Sequence, residues 1–331
     1  MGGDKSGHYE PPNRAPRRAG RLRRWYSNPH LTDNTRSDSA LTRMTAMKPE
    51  SQGRNMPELS DAAPTSDPVW QRIREEVSAQ ANREPILASF LHAVVLNHDR
   101  LEDALSFHLA TKLASQSLPD MLVRELIDAI FAGNSEIGAA VRTDVRAISE
   151  RDPASHGYSP PFLYFKGFLA LQSYRVAHAL WQDDRRLLAV HLQNRVSEVF
   201  GIDIHPAARI GKGILLDHGT SIVIGETAVV EDNVSLLHEV TLGGTGKQTG
   251  DRHPKVRHGV LIGAGAKVLG NVEIGAGAKV AACSVVLDDV PPHTTVAGVP
   301  AQIVGRPDAD EPALDMNQQF PHSSHSDGSG I

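Results

Sequence analysis

One cysteine, Cys283, stands in the 331 residues. That scarcity excludes an intrachain disulfide and any metal site built from several thiolates, and it fits a reducing, cytoplasmic setting. No run of about 18 apolar residues occurs, so no segment is read as spanning a membrane, and a secretory apolar core is missing near the start. Surplus basic charge is lacking too: 34 Lys and Arg face 39 Asp and Glu, for a formal charge of −5. Binding to phosphate backbones calls for the opposite balance, so nucleic acid is not an expected partner. The Gly-x-Ser-x-Gly turn of many hydrolases is also absent, and Cys283 has no evident base beside it. Both facts argue against a covalent intermediate on serine or cysteine.

What is present divides the chain into four pieces. Residues 1–66 are rich in Arg, Pro, Ser and Asn and poor in clustered apolar residues, so they are expected to form a disordered extension. The run Arg17-Arg18-Ala19-Gly20-Arg21-Leu22-Arg23-Arg24 is its one charge block, and Met44, Met47 and Met56 leave a later start open. Residues 67–201 read as an α-helical domain. Asp67-Pro68 is a helix start, and Leu101, Leu105, Leu109 and Leu113 recur at helical spacing. A further helix from Ile137 to Ile148 stops at Asp152-Pro153, two more are expected over 163–182 and 185–199, and Gly201 closes the region. Residues 306–331 are polar and read as a flexible tail ending at Ile331.

Residues 202–305 carry a six-residue period. Ile204, Ile210, Leu216, Ile222, Ala228, Val234 and Val240 follow one another at that step, and Ile262, Val268, Ile274, Val280 and Val286 repeat it. Each unit supplies a short strand and a corner, three units complete a coil, and the aliphatic residue points into a prism. The expected fold is therefore α+β: helices followed by a parallel β-helix of hexapeptide repeats. The period breaks once, between Val240 and Ile262, so a loop over 243–258 is expected to leave the prism. It carries Asp251, Arg252, His253 and Lys255, the kind of extruded segment on which function is placed.

Candidate chemistry gathers around the repeat. Asp217-His218 follows a core position, and Asp203 precedes His218 by fifteen residues, slightly less than one coil. A carboxylate beside an imidazole fixes its tautomer and makes it a general base, so Asp203 and His218 are read as a pair. Glu226 is read as a structural carboxylate. A rival reading joins His218, His253 and His258 as zinc ligands, the arrangement of a gamma-type carbonic anhydrase. Another keeps acyl transfer but directs it to a sugar or antibiotic hydroxyl on the same scaffold.

Across about 67–315 the chain resembles bacterial serine O-acetyltransferases. The resemblance is carried by Glu84-Pro85-Ile86-Leu87, Tyr164-Phe165-Lys166-Gly167-Phe168, Asp203-Ile204-His205-Pro206, Leu216-Asp217-His218, Gly243-Gly244-Thr245-Gly246-Lys247, Gly250-Asp251-Arg252-His253-Pro254-Lys255 and Pro291-Pro292-His293-Thr294-Thr295. It implies a left-handed winding of the β-helix and acetyl transfer from acetyl-CoA to L-serine in a ternary complex, giving O-acetyl-L-serine for cysteine biosynthesis, with no metal. By the same resemblance His218 is the general base, Asp203 orients it, and His253 is the second catalytic histidine. Asp152 and Asp217 hold the serine ammonium and Arg252 its carboxylate, while Gly244, Ala264, Lys279 and Ala282 line the CoA groove. The resemblance further implies a homo-oligomer, trimer or dimer of trimers, feedback inhibition by L-cysteine, and docking of Ile331 into cysteine synthase.

Overall fold

Asp67 accepts a hydrogen bond from the Trp70 N–H at 3.1 Å, and Pro68 takes the first helical position, so α1 (Pro68–Arg83) starts where the sequence predicts. The computed structural model describes residues 67–247 and 249–319; the expectations for residues 1–66 and for Ile331 fall outside the described residues. Next come α2 (Pro85–Leu91), α3 (Leu101–Leu113), α4 (Asp120–Gly133) and α5 (Ser135–Arg151). α2 runs straight into a π-helical turn, His92–Leu96, which apolar spacing does not reveal. The single helix expected over 163–182 is two: α6 (Ser159–Tyr164) and α7 (Lys166–Gln182), divided at the extended Phe165. α8 (Arg186–Phe200) ends at Gly201, whose φ of 67° closes the helix in the left-handed region.

α7 is buried on nearly every side, as befits the central helix of the layer. Its Arg175 meets Asp144 of α5 at 2.7 Å, and Asp144 also accepts from Gln172 at 3.0 Å and from the backbone N–H of Ile214 at 3.1 Å. A buried carboxylate supplied with a cation and two neutral donors is tolerated where a bare one is not. Because Ile214 lies beyond the helices, this cluster ties the helical layer to the repeat. The two regions belong to one unit with a continuous apolar core.

Strands β1 to β15 follow between residues 203 and 305 and form three sheets. The five-stranded sheet contains β1 (Asp203–Ile204), β4 (Val223–Ile224), β7 (Thr241–Gly243), β10 (Lys267–Leu269) and β13 (Val285–Val286). The four-stranded sheet contains β2 (Arg209–Ile210), β5 (Val229–Val230), β8 (Lys255–Val256) and β11 (Glu273–Ile274). The six-stranded sheet contains β3 (Leu215–Leu216), β6 (Ser235–Leu236), β9 (Leu261–Ile262), β12 (Lys279–Val280), β14 (Thr295–Gly298) and β15 (Ala301–Gly305). All the pairings are parallel except β14 with β15, which closes the far end as a hairpin. Consecutive strands from β1 to β13 visit the three sheets in turn, so the sheets are the faces of a triangular prism. Its first edge joins the six-stranded to the five-stranded sheet, its second the five- to the four-stranded, and its third the four- to the six-stranded.

The register departs from the expectation of a single break. Val223 pairs with Thr241, a coil of eighteen, but Asp203 pairs with Val223, a coil of twenty. Two extra residues enter at the first edge between Leu216 and Val223, the corner that contains His218. Most hexapeptides bury two apolar positions, one at the corner (Ala228, Val234, Val240) and one two residues later in the strand (Val230, Leu236, Leu242). A two-residue insertion moves the six-step series from one set to the other, and both are aliphatic. The periodicity therefore passes over the insertion unmarked. The second departure is the larger one: Val229 pairs with Lys255, and residues 244–254 leave the prism at its second edge between β7 and β8.

Candidate active site

The inserted corner presents His218. Its backbone has φ 56°, and the corner residues Asn233, Glu239 and Cys283 share that left-handed conformation, so it belongs to the corner geometry. The side chain is 76% exposed, with the Asp217 carboxylate 3.9 Å away and the His238 ring edge-on at 5.8 Å between centroids. Helix α7 presses directly against this corner. A Cβ on Gly167 would stand 2.0 Å from the Leu216 carbonyl oxygen, so only glycine permits that approach. Lys166 hydrogen-bonds Thr220 on the same loop.

Between helices and corner lies an open cleft of about 460 Å³ whose lining includes Asp152, Lys166, Phe168, Asp217 and His218. Asp152 is the residue at which α5 stops, and its carboxylate accepts from the Ala154 N–H at 2.8 Å. Burial holds the Asp217 carboxyl above the usual carboxylate range, and the neighbouring Asp152 pushes in the same direction. Two carboxylates and an imidazole thus converge on one cleft, a set suited to an ammonium group beside a hydroxyl. Asp203 lies on the same edge, at the start of β1, where its Oδ1 accepts from Gln193 of α8 at 2.7 Å. The carboxylate within 4 Å of the His218 ring is that of Asp217, at 3.9 Å.

Arg252 and His253 belong to the second edge, at the opposite end of β4. Arg252 donates to Glu226 at 2.6 Å and to the Gly250 carbonyl at 3.1 Å, and that guanidinium holds the Glu226 carboxyl below the usual range. Gly225 has no room for a side chain: a Cβ there would stand 2.1 Å from both Cδ2 and Nε2 of the His253 ring. Thr227 faces the opposite ring nitrogen, with its backbone nitrogen 3.2 Å and its hydroxyl 2.9 Å from Nδ1. Burial, and after it Arg252, keeps the proton affinity of His253 below that of an ordinary histidine.

The predicted residues thus form two clusters within one chain. Asp152, Asp217 and His218 meet at the first edge, with Asp203 close by, while Arg252 and His253 stand at the second beside Gly244. Ala264 and Ala282 lie on the His218 edge, in the column that continues from His238: the Gly265 N–H bonds the His238 carbonyl, and the Cys283 N–H bonds that of Ala264. Lys279 sits on β12 beneath residues 306–319, and its ammonium donates to the Gln319 carbonyl at 2.6 Å. His258 is on the third edge, paired with Glu231, so His218, His253 and His258 occupy three different edges of the prism. No group of three metal-ligating side chains occurs among the described residues. Sequence reasoning missed His238 and Thr227. Neither carried a motif: His238 stands edge-on to His218, and Thr227 faces Nδ1 of His253.

A family model described as the N-terminal region of serine acetyltransferase matches residues 69–173, and a bacterial transferase hexapeptide model of six repeats matches residues 253–288. Serine acetyltransferase of Salmonella typhimurium is 57% identical over 265 residues, covering 80% of this chain and 97% of that protein. A solved structure of a serine acetyltransferase in complex with cysteine has a TM-score of 0.75 at 54% identity, covering 76% of this chain and 98% of its own. Another, from Brucella abortus in complex with coenzyme A, has a TM-score of 0.72 at 50% identity, covering 73% and 96%. The helices followed by a left-handed β-helix of hexapeptide repeats are the architecture shared with these proteins.

Proposed function

Because the chain belongs to the serine acetyltransferase family, we propose that it transfers the acetyl group of acetyl-CoA to the hydroxyl of L-serine, giving O-acetyl-L-serine, with His218 as general base. The convergence of Asp152, Asp217 and His218 on one cleft carries this reading. The two carboxylates face the substrate ammonium, and His218 takes the hydroxyl proton as the oxygen attacks the thioester carbonyl. A tetrahedral intermediate forms, its carbon–sulfur bond breaks, and the imidazolium returns the proton to the departing thiolate. General acid–base help of this kind is worth about 10²–10⁴ in rate. Ala264 and Ala282, small and on the His218 edge, leave room for the pantetheine arm of CoA along that edge.

Arg252, whose guanidinium fork suits the serine carboxylate, and His253 complete the site from a second copy of the chain. Support for this comes from their place at the far end of β4 from His218. We propose a homo-oligomer, a trimer or a dimer of trimers, and that division supports an assembly of more than one chain. L-cysteine carries the same ammonium and carboxylate as serine, so it fits the same groups as a feedback inhibitor; a relative solved with cysteine supports this. The C-terminal Ile331 is proposed to dock into cysteine synthase, the consumer of O-acetylserine. No helix among the described residues is long and apolar enough to cross a membrane.

Release of CoA thiol, measured with L-serine and with a panel of sugar and antibiotic hydroxyls, tests the assignment. Serine-dependent release is expected; turnover confined to a sugar or antibiotic would overturn it.

A further inference from the structure

We propose that Thr227 is the positioning residue for His253, holding its imidazole as the neutral tautomer with the proton on Nε2 and so reserving that ring as a hydrogen-bond donor. The donor role rests on the acetyl-transfer reading above; the tautomer does not.

A backbone N–H can only donate. That of Thr227 is directed at His253 Nδ1 from 3.2 Å, so Nδ1 must offer a lone pair and the ring proton must reside on Nε2. The Thr227 hydroxyl is held at the same nitrogen. Its oxygen accepts from the backbone N–H of Arg252 at 3.0 Å and from that of His253 at 3.1 Å, which fills both acceptor positions of a hydroxyl. Its one proton lies between the Asp251 carboxylate and Nδ1, which is 2.9 Å away, so the backbone N–H is the donor that fixes the tautomer. Asp251, which Lys255 engages at 2.6 Å, also draws on this hydroxyl, but the backbone donor cannot be redirected.

The setting discourages a second proton. Arg252, Lys255 and His205 all oppose a charge on His253, and the carboxylate that favours one, Glu226, is taken by Arg252. The ring lies against the Gly225 backbone, and turning it over would put carbon where the Thr227 N–H points. Lys255 in turn fixes the Thr227 carbonyl at 3.1 Å. Among the described residues Nε2 has no partner, and it already carries its proton. His253 is therefore not a base for the serine hydroxyl; it is built to donate to the oxyanion of the tetrahedral intermediate, a preorganised role of large effect. The two histidines are divided by tautomer, His218 free to accept and His253 set to donate.

The test uses the full chain, its Thr227→Val and Thr227→Ser variants, and nitrogen NMR of labelled histidine. In the unaltered protein at neutral pH, His253 is expected to show a protonated Nε2 and a bare Nδ1, with a titration midpoint below the ordinary histidine value of about 6.5. Val removes the hydroxyl and leaves two backbone donors unpaired. Its kcat should fall about 10- to 100-fold with the KM for serine within about threefold, and the His253 midpoint should move upward. Ser should restore both kcat and midpoint. A proton found on Nδ1 of the unaltered protein would overturn the proposal, and so would a Val variant with unchanged kcat and midpoint. If Val does not fold, the tautomer of the unaltered protein decides. Should that protein show the Nε2 proton yet no serine turnover, the acetyl-transfer reading fails and the positioning by Thr227 stands.

Discussion

Arg151, the last residue of α5, donates to the carbonyl of Gly213 at 2.9 Å and reaches Ser235 and Asn233 on the neighbouring coil. Gly213 precedes β3 and Asp217 follows it, so the anchor and the cleft lie at two ends of one short strand. Asp152 is the next residue after Arg151, and its position is set by this contact. Arg151→Ala is expected to raise the KM for serine about tenfold with a smaller change in kcat. Leaving the buried partners unpaired should also cost about 1–3 kcal/mol in chemical denaturation. Steady-state kinetics beside a urea titration check both effects.

Among the described residues the His218 side chain has the Asp217 carboxylate at 3.9 Å and the His238 ring edge-on, and it is otherwise open to the cleft. His218→Ala should therefore lower kcat by about 10²–10⁴ while CoA binding, measured by calorimetry, stays within about threefold. Near-normal turnover in this variant would remove His218 as the base.

Asp217 carries a prediction with a defined sign. Its carboxyl is raised in the folded chain, so ionising it opposes folding. The penalty is full above the folded pKa and disappears below the unfolded one, where both states are protonated. Asp217→Asn should accordingly raise Tm of the unliganded protein at pH 7, and the gain should vanish on acidification. Serine binding should weaken in the same variant, which calorimetry with serine would reveal.

Gly225→Ala places a methyl group 2.1 Å from two atoms of the His253 ring. The ring must move, and with it the donor proposed for the oxyanion, so kcat is expected to drop at least about tenfold. The corner has no positive φ at this position, so Tm should fall only slightly in a calorimetric scan.

The helices and the prism were legible because both are periodic: Leu101 to Leu113 marks one face of a helix, and Ile262 to Val286 marks the inside of the coil. The insertion at His218 was hidden because two aliphatic positions lie two residues apart in most hexapeptides, so the series crossed it without a polar interruption. The loop at Arg252 was visible because it breaks the period outright. Fifteen residues from Asp203 to His218 suggested a direct pair, and both do lie on the first edge. Gln193 of α8 also donates to Asp203 Oδ1, and no count along the repeat could anticipate a helix arriving there. Lys279 reads as an open cation in a linear sequence; only the fold shows a later segment passing over it. Thr227 escaped notice because a threonine at a corner looks like a filler, and its role depends on a loop 25 residues downstream.

A perfectly regular prism would have translational symmetry: each coil would repeat the same chemical address along every edge, and a ligand would meet several equivalent positions. The two residues inserted before Val223 and the excursion at residues 244–254 lift that degeneracy. One coil becomes longer than its neighbours at the first edge, another at the second, and each irregular step falls on a different side of β4. A uniform lattice of interchangeable corners thereby acquires one unique pair of coordinates. Transplanting only those two irregularities into an otherwise inert hexapeptide scaffold would transfer the location of a site without altering the scaffold's core.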